Sequence, residues 1–157
     1  MINMTPLELR HDLASELETI LNHMNFKNQE GNDCKLNIME QNLPVQMDDD
    51  DTDPYPYLLV RLMDGEMSEE EITQSVSINL IIGIYSDDTN AQGADFVLNV
   101  IQDIICRFRK CPILNKKYVL NQKLKWALQT DDTYPYYFGG MELNWQAPNI
   151  QREGIYS

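Results

Sequence analysis

The chain has 157 residues, 43% of them hydrophobic and 24% charged, enough for one domain that folds without a disulfide or metal staple and too little for two. Twelve Lys and Arg against 25 Asp and Glu leave a net charge of −13, which disfavours a protein that coats duplex DNA or anionic lipid. Cys34, Cys106 and Cys111 are odd in number and match no secreted disulfide framework, so a reducing cytosol is the expected compartment.

Met1 to Asp12 lack the basic-then-apolar order of a leader, and no apolar run approaches the ~20 residues of a membrane span. Neither a signal peptide nor a membrane partner is expected. Thr5-Pro6-Leu7-Glu8 combines a capping hydroxyl, a proline suited to the first turn and a Glu that reaches back to the cap. A helix follows, with Leu9, Leu13, Leu17, Leu21, Ile20 and Met24 on its apolar stripe and His11, Glu16, Glu18 and Asn22 largely on the other side. Asn25 to Asp33 reads as a polar loop, and Leu36, Ile38 and Gln41 as a short strand. An acidic loop spans about 46–56; its prolines Pro54 and Pro56 interrupt regular structure.

Tyr57 to Met63 predicts a strand, and Asp64-Gly65 a turn. Val76, Ile78, Leu80, Ile82 and Ile84 alternate with Ser77, Asn79, Ile81, Gly83 and Tyr85, the period of two that a half-buried strand requires. Phe96, Val97, Val100, Ile101, Ile104, Ile105 and Phe108 then form a second helical stripe, from Ala94 to Lys110, stopped by Cys111-Pro112. Tyr118, Leu120, Leu124, Trp126 and Leu128 predict one long strand with these five facing the core, and Met141, Leu143 and Trp145 a last one. Asp53-Pro54-Tyr55-Pro56-Tyr57 and Thr133-Tyr134-Pro135-Tyr136-Tyr137 are alike and mark two places where a strand begins. The order α-β-β-β-α-β-β predicts a single two-layer α+β domain over residues 1–157. Its mostly antiparallel sheet of hairpin-like neighbours has two helices on one face, and 148–157 is a tail.

The chain lacks a Gly-rich phosphate loop, G-x-S-x-G, H-E-x-x-H and paired C-x-x-C, so no catalytic residue or cofactor is expected. His11 and His23 are twelve residues apart, more than three helical turns, which suits a solvated face better than a shared metal. Cys106 and Cys111 are expected to be buried thiols, not nucleophiles. A calcium loop begun at Asp49 has Pro54 where glycine is required and Val60 where the bidentate Glu belongs. Asp87-Asp88 and Asp131-Asp132 are expected to cap turns.

Charge is segregated along the chain. Residues 1–90 carry 19 acidic and 4 basic side chains, and residues 91–157 carry 6 and 8. The negative extreme is Asp48, Asp49, Asp50, Asp51 and Asp53. The positive extreme is Arg107, Arg109, Lys110, Lys116, Lys117, Lys123 and Lys125, a stretch without a carboxylate. The aromatics Tyr118 and Trp126 have core parity while Lys117, Lys123 and Lys125 point the other way, so no stacking platform for single-stranded nucleic acid is displayed. These two clusters are the candidate subunit or partner interfaces.

The opening helix, the strand ending Gly83-Ile84-Tyr85-Ser86, the helix Ala94 to Lys110, the strand Tyr118 to Leu128 and the ending Tyr134-Pro135-Tyr136-Tyr137-Phe138-Gly139-Gly140-Met141-Glu142-Leu143-Asn144-Trp145 together resemble the tail-terminator (tail-completion, head–tail joining) proteins of long-tailed bacteriophages and prophages. The resemblance covers most of the chain but not the acidic run. It implies a non-enzymatic ring, typically a hexamer, whose partners are the tail tube protein and the head connector protein, in the host cytoplasm during assembly and then in the virion tail. Two other readings stand beside it: an acidic DNA mimic that inhibits a nucleic-acid-binding protein, and a small ligand-binding α+β domain.

Overall fold

A computed structural model describes residues 6–45, 54–67, 73–90 and 92–148. Helix α1, Pro6–Leu21, buries Leu9, Leu13, Ala14, Leu17 and Leu21, the stripe its spacing of three and four demands. Thr5, its expected cap, lies outside the described residues. The stretch read as a polar loop folds back on itself instead, pairing β1, Phe26–Lys27, with β2, Asp33–Cys34. The Asn28 side-chain oxygen accepts from the N–H groups of Glu30 and Asn32, at 3.0 Å each, and Gly31 takes a φ of 81°. Asn and Gly permit that reversal, but strands of two residues leave no periodic trace.

The main sheet contains β3 (Asn37–Glu40), β4 (Tyr57–Met67), β5 (Thr73–Tyr85) and β9 (Tyr136–Pro148) in that order. Between β5 and β9 in sequence come helix α2 (Ala94–Lys110) and the short strands β6 (Ile113–Leu114), β7 (Tyr118–Leu120) and β8 (Lys125–Leu128). β7 and β8 each pair with β9, and β6 pairs with β7. Every pairing in this sheet is antiparallel except β3 with β4. The architecture is therefore the expected α+β class, although the neighbours are not all consecutive: β3 and β4 run parallel, and β9 returns past α2 to lie beside β5.

Both helices cover one face. Leu9, Leu13, Leu17 and Leu21 of α1 and Val97, Val100, Ile101, Ile104 and Phe108 of α2 join one buried cluster with Leu58, Val60, Ile78, Leu80, Ile82, Ile84, Met141, Leu143 and Trp145 from the sheet. Fully burying each such side chain contributes about 1.5–3 kcal/mol, so this cluster outweighs the surface ion pairs, worth about 0–1 kcal/mol each.

Several local expectations are corrected. Asp64-Gly65 makes no turn: β4 continues through it after a register shift between Leu62 and Asp64, a bulge that absorbs one residue without ending the strand. The strand predicted from Tyr118 to Leu128 is broken: after a last bond to β9, Asn121 N–H to Asn144 O at 2.8 Å, the Asn121 side chain accepts from Lys123 N–H at 3.1 Å, and this turn interrupts the pairing until Lys125 meets Glu142. Trp126 lies opposite Met141 and so keeps the parity of the core face, yet it is 49% exposed because β8 is the sheet's edge there. Trp145 is the buried tryptophan, 5.4 Å edge-on to Phe108. Phe96 leaves the α2 stripe for the surface, where its ring sits 6.3 Å from Phe26. Gln41 lies just past β3 with φ of 69°. Of the predicted tail, Pro148 ends β9 and residues 149–157 lie outside the described residues.

Candidate functional site

The basic cluster divides into side chains engaged within the fold and side chains left at its surface. Arg107, on the last turns of α2, places Nε 2.8 Å from Glu16 Oε1 of α1 and donates from Nη1 to Cys111 O at 2.7 Å. Its guanidinium carbon also lies 4.8 Å from the centre of the Phe108 ring. Lys117 does not project from a strand face as expected. It sits in the turn before β7 and its Nζ is 3.0 Å from Glu8 Oε1. The same turn, with Asn115 and Lys116 both at positive φ, sends the Asn115 amide to Asp12 Oδ2 at 2.9 Å. Glu8, Asp12 and Glu16 thus use the i, i+4 spacing along one flank of α1 to hold the α2 and β6–β7 region. That spacing was visible in the sequence; its partners, 91 to 109 residues away, were not.

Arg109 donates to the Gln122 side chain at 3.3 Å. Lys110, Lys116, Lys123 and Lys125 are exposed and form no ion pair among the described residues. They lie at the end of α2 and along β6–β8, the edge of the sheet opposite β3. Asp48, Asp49, Asp50, Asp51 and Asp53 lie outside the described residues; the flanking residues, Val45 and Pro54, follow β3 and precede β4.

At the end where β4 and β9 begin and β5 finishes, tyrosines gather. The two similar Tyr-Pro-Tyr segments both precede a strand, and in both the Tyr-Pro bond is cis: Tyr55-Pro56 and Tyr134-Pro135. Tyr55 stands 4.7 Å from Tyr136 and 5.2 Å from Tyr57, and Tyr85 stands 5.7 Å from Tyr136. Gln29, from the β1–β2 loop, donates to the Tyr136 hydroxyl, and the Tyr134 hydroxyl donates to Asp87 O at 2.9 Å. Beside this cluster a cleft of about 590 Å³ opens between the β1–β2 hairpin, the end of β5 and the start of α2. Sequence reasoning missed the cleft, since its walls come from three distant segments.

Burial raises the pKa of Tyr57, Tyr118 and Tyr137, with Glu8 and Asp12 adding to the effect at Tyr118; these hydroxyls are carried away from the range in which general acid–base groups work near neutral pH. Cys106 and Cys111 are exposed, not buried as expected, and Cys34 is half-buried. Asp88 and Asp132 accept from the N–H groups of Asn90 and Tyr134, as turn-capping residues do. Among the described residues no three His, Cys, Asp or Glu side chains are grouped to hold a metal, and no helix is long and apolar enough to cross a membrane.

The histidines are exposed but engaged. His23 Nε2 lies 3.0 Å from Asp103 Oδ2, and His11 Nδ1 lies 3.1 Å from Glu40 Oε2. The hydrogen bond and charge of Glu40 raise the His11 pKa above its ordinary 6.5. A raised value stabilises the fold fully below the unfolded pKa, and the contribution is lost as pH rises through the folded one. An NMR titration is expected to place the His11 midpoint above 6.5 and to bring it down in Glu40→Gln. Identical midpoints in the two proteins would exclude the pair.

Comparison with protein-family models and with curated proteins finds no match to this chain.

Proposed function

We propose that the chain is a non-enzymatic subunit of a ring, a hexamer by its resemblance to tail terminators, that closes the tail tube of a long-tailed phage and joins it to the head connector. It assembles in the host cytoplasm and ends in the virion tail. The observation that carries this reading is the position of the charge. Lys110, Lys116, Lys123 and Lys125, which form no ion pair among the described residues, lie along one edge of the sheet, and in the sequence the acidic run falls between β3, the strand at the opposite edge, and β4. Head-to-tail closure requires two different patches on each subunit, and opposite charges supply their complementarity. A DNA mimic would use the acidic side and leave the basic edge without a role.

The test is assembly, followed by light scattering at low and high salt, with and without tail tube protein. Lys116→Glu/Lys123→Glu/Lys125→Glu is expected to abolish assembly while the melting curve stays close to the parent's, because exposed substitutions change stability by about 0.5 kcal/mol or less each. Lys117→Glu sets the contrast: it places a carboxylate beside Glu8 and lowers stability. Undiminished assembly of the triple variant, or a parent that stays monomeric even with tube protein, would overturn the reading.

A further inference from the structure

Two borders of the main sheet have no strand beside them among the described residues. On one side β3 reaches only Val60 of β4, and the Gln41 side chain, bonded to both the N–H and the O of Leu62 at 3.0 Å, stands in for one further residue. From Asp64 to Met67 the outer side of β4 is open, and on the other side of the sheet so is the outer side of β8. Each border exposes a large apolar side chain, Met67 at 62% and Trp126 at 49%. Trp126 and Lys125 are on opposite faces of β8: Trp126 pairs with Met141 on the helix-covered face, and Lys125 with Glu142 on the bare one. β4 divides in the same way. Gly65 and Met67 pair with buried Val76 and Gln74, while Asp64 and Glu66 pair with Ser77 and Ser75 on the bare face and form no ion pair among the described residues.

We propose that the border of β8 pairs with the Asp64–Met67 border of β4 in a second copy of this chain, so that one sheet continues from subunit to subunit with Trp126 laid over Gly65. The proposal rests on the ring reading and names the strands that join. An open strand border presents N–H and C=O groups that pair readily with another chain. The directions agree. β4, β5, β9 and β8 alternate, so a second copy set beside β8 with its helices on the same side brings its β4 antiparallel to β8. The faces agree as well: with Trp126 opposite Gly65 on the helix-covered face, Lys125 falls opposite Glu66 on the bare face, an opposite-charge cross-strand pair. The indole covers backbone that an edge glycine leaves exposed, and the Met67 thioether, two residues along on the same face, packs at its side. Lys125, Glu142, Asn79 and Arg61 are level across the sheet, and Glu66 is four rungs beyond Arg61, Met63 being taken up by the bulge. Four strand spacings separate one β4 from the next. At about 3.3 Å per rung and about 4.8 Å per spacing, that displacement leans the strands about 35° from the ring axis, the tilt at which sheets close on themselves. The two borders are different patches of one subunit, as a contact that propagates and closes requires.

The experiment measures self-association of the full chain by sedimentation velocity, with and without tail tube protein, for the parent, Trp126→Ala, Lys125→Glu, Glu66→Lys and the double variant Lys125→Glu/Glu66→Lys. Amide hydrogen exchange of the parent is followed before and after assembly. Trp126→Ala is expected to weaken association by about 30-fold, and each single charge reversal by about tenfold or more. The double variant is expected to regain parent-like association, because opposite charges then meet again at every contact; damage confined to one subunit would not be mended by a second change at the far side of the sheet. Assembly is expected to slow exchange in β8 and in Gly65 to Met67 together. Parent-like association of the single variants, a double variant that stays as weak as they are, or assembly without added protection at both borders would each overturn the strand pairing and leave the ring reading standing. A parent that never associates, even with tube protein, would overturn both.

Discussion

Trp145→Ala is expected to destabilise the protein by about 3–5 kcal/mol, whereas Trp126→Ala costs about 1 kcal/mol or less. The two tryptophans are both on alternating strands with core parity, and only their surroundings differ. Trp145 is 0% exposed, lies on β9 beneath α2 and meets Phe108 edge-on, so truncation removes a large buried surface and leaves a cavity. Trp126 is at the edge, where solvent fills what truncation removes. For a chain of this size the Trp145 change lowers the melting temperature by roughly 10 °C. The indole Nε1 of Trp145 is buried without a hydrogen-bond partner among the described residues. Trp145→Phe therefore relieves an unpaired donor while losing volume, and its cost falls well below that of the alanine variant. Equal melting shifts for Trp145→Ala and Trp126→Ala would contradict the placement of both.

Gly83→Ala is the second large effect, and its sign is set by one ring. In the middle of a strand, alanine is ordinarily the better residue by roughly 0.5–1 kcal/mol. Here a Cβ on Gly83 falls 2.4 Å from Tyr57 Cε2 and 2.6 Å from Cζ, because Tyr57 is the cross-strand partner of Gly83 and lays its buried ring over it. Overpacking of this kind costs about 1–3 kcal/mol. In a Tyr57→Ala background the obstruction is gone, and Gly83→Ala becomes neutral or stabilising. A double-mutant cycle is thus expected to show coupling of at least about 1 kcal/mol. Additive melts would show that the ring does not rest on the glycine.

What was legible in the sequence was whatever a long period writes into it. The stripe from Phe96 to Phe108 gave the extent of α2, and the alternation from Val76 to Ile84 gave the buried face of β5. Both are dominated by burial against a large partner surface, which leaves a repeat in the sequence. β1, β2 and β6 have two residues each, too few for any repeat. The break at Asn121 is a local turn closed on its side chain by Lys123 N–H, the bulge after Leu62 lies where the Gln41 side chain, 21 residues away, bonds the N–H and O of Leu62, and parity gave Trp126 its face without revealing that the helix layer stops short of covering it. The basic cluster was legible as a cluster. Its division into anchoring Arg107 and Lys117 and outward Lys110, Lys116, Lys123 and Lys125 depends on α1 folding back across it, which local pattern does not encode.

The pairing of β5 also fixes how the molecule opens. Thr73 to Tyr85 are in register with β9 throughout, and Gln74 to Gly83 are flanked by β4 on the other side. Releasing an amide there requires two ladders and the helix layer above them to give way together, so β5 exchanges its hydrogens with solvent only through complete unfolding, while β3 and β8, paired on one side, exchange through smaller fluctuations. The slowest amides of β5 therefore report the stability of the whole fold, and those of β8 report only whether something has docked against its edge.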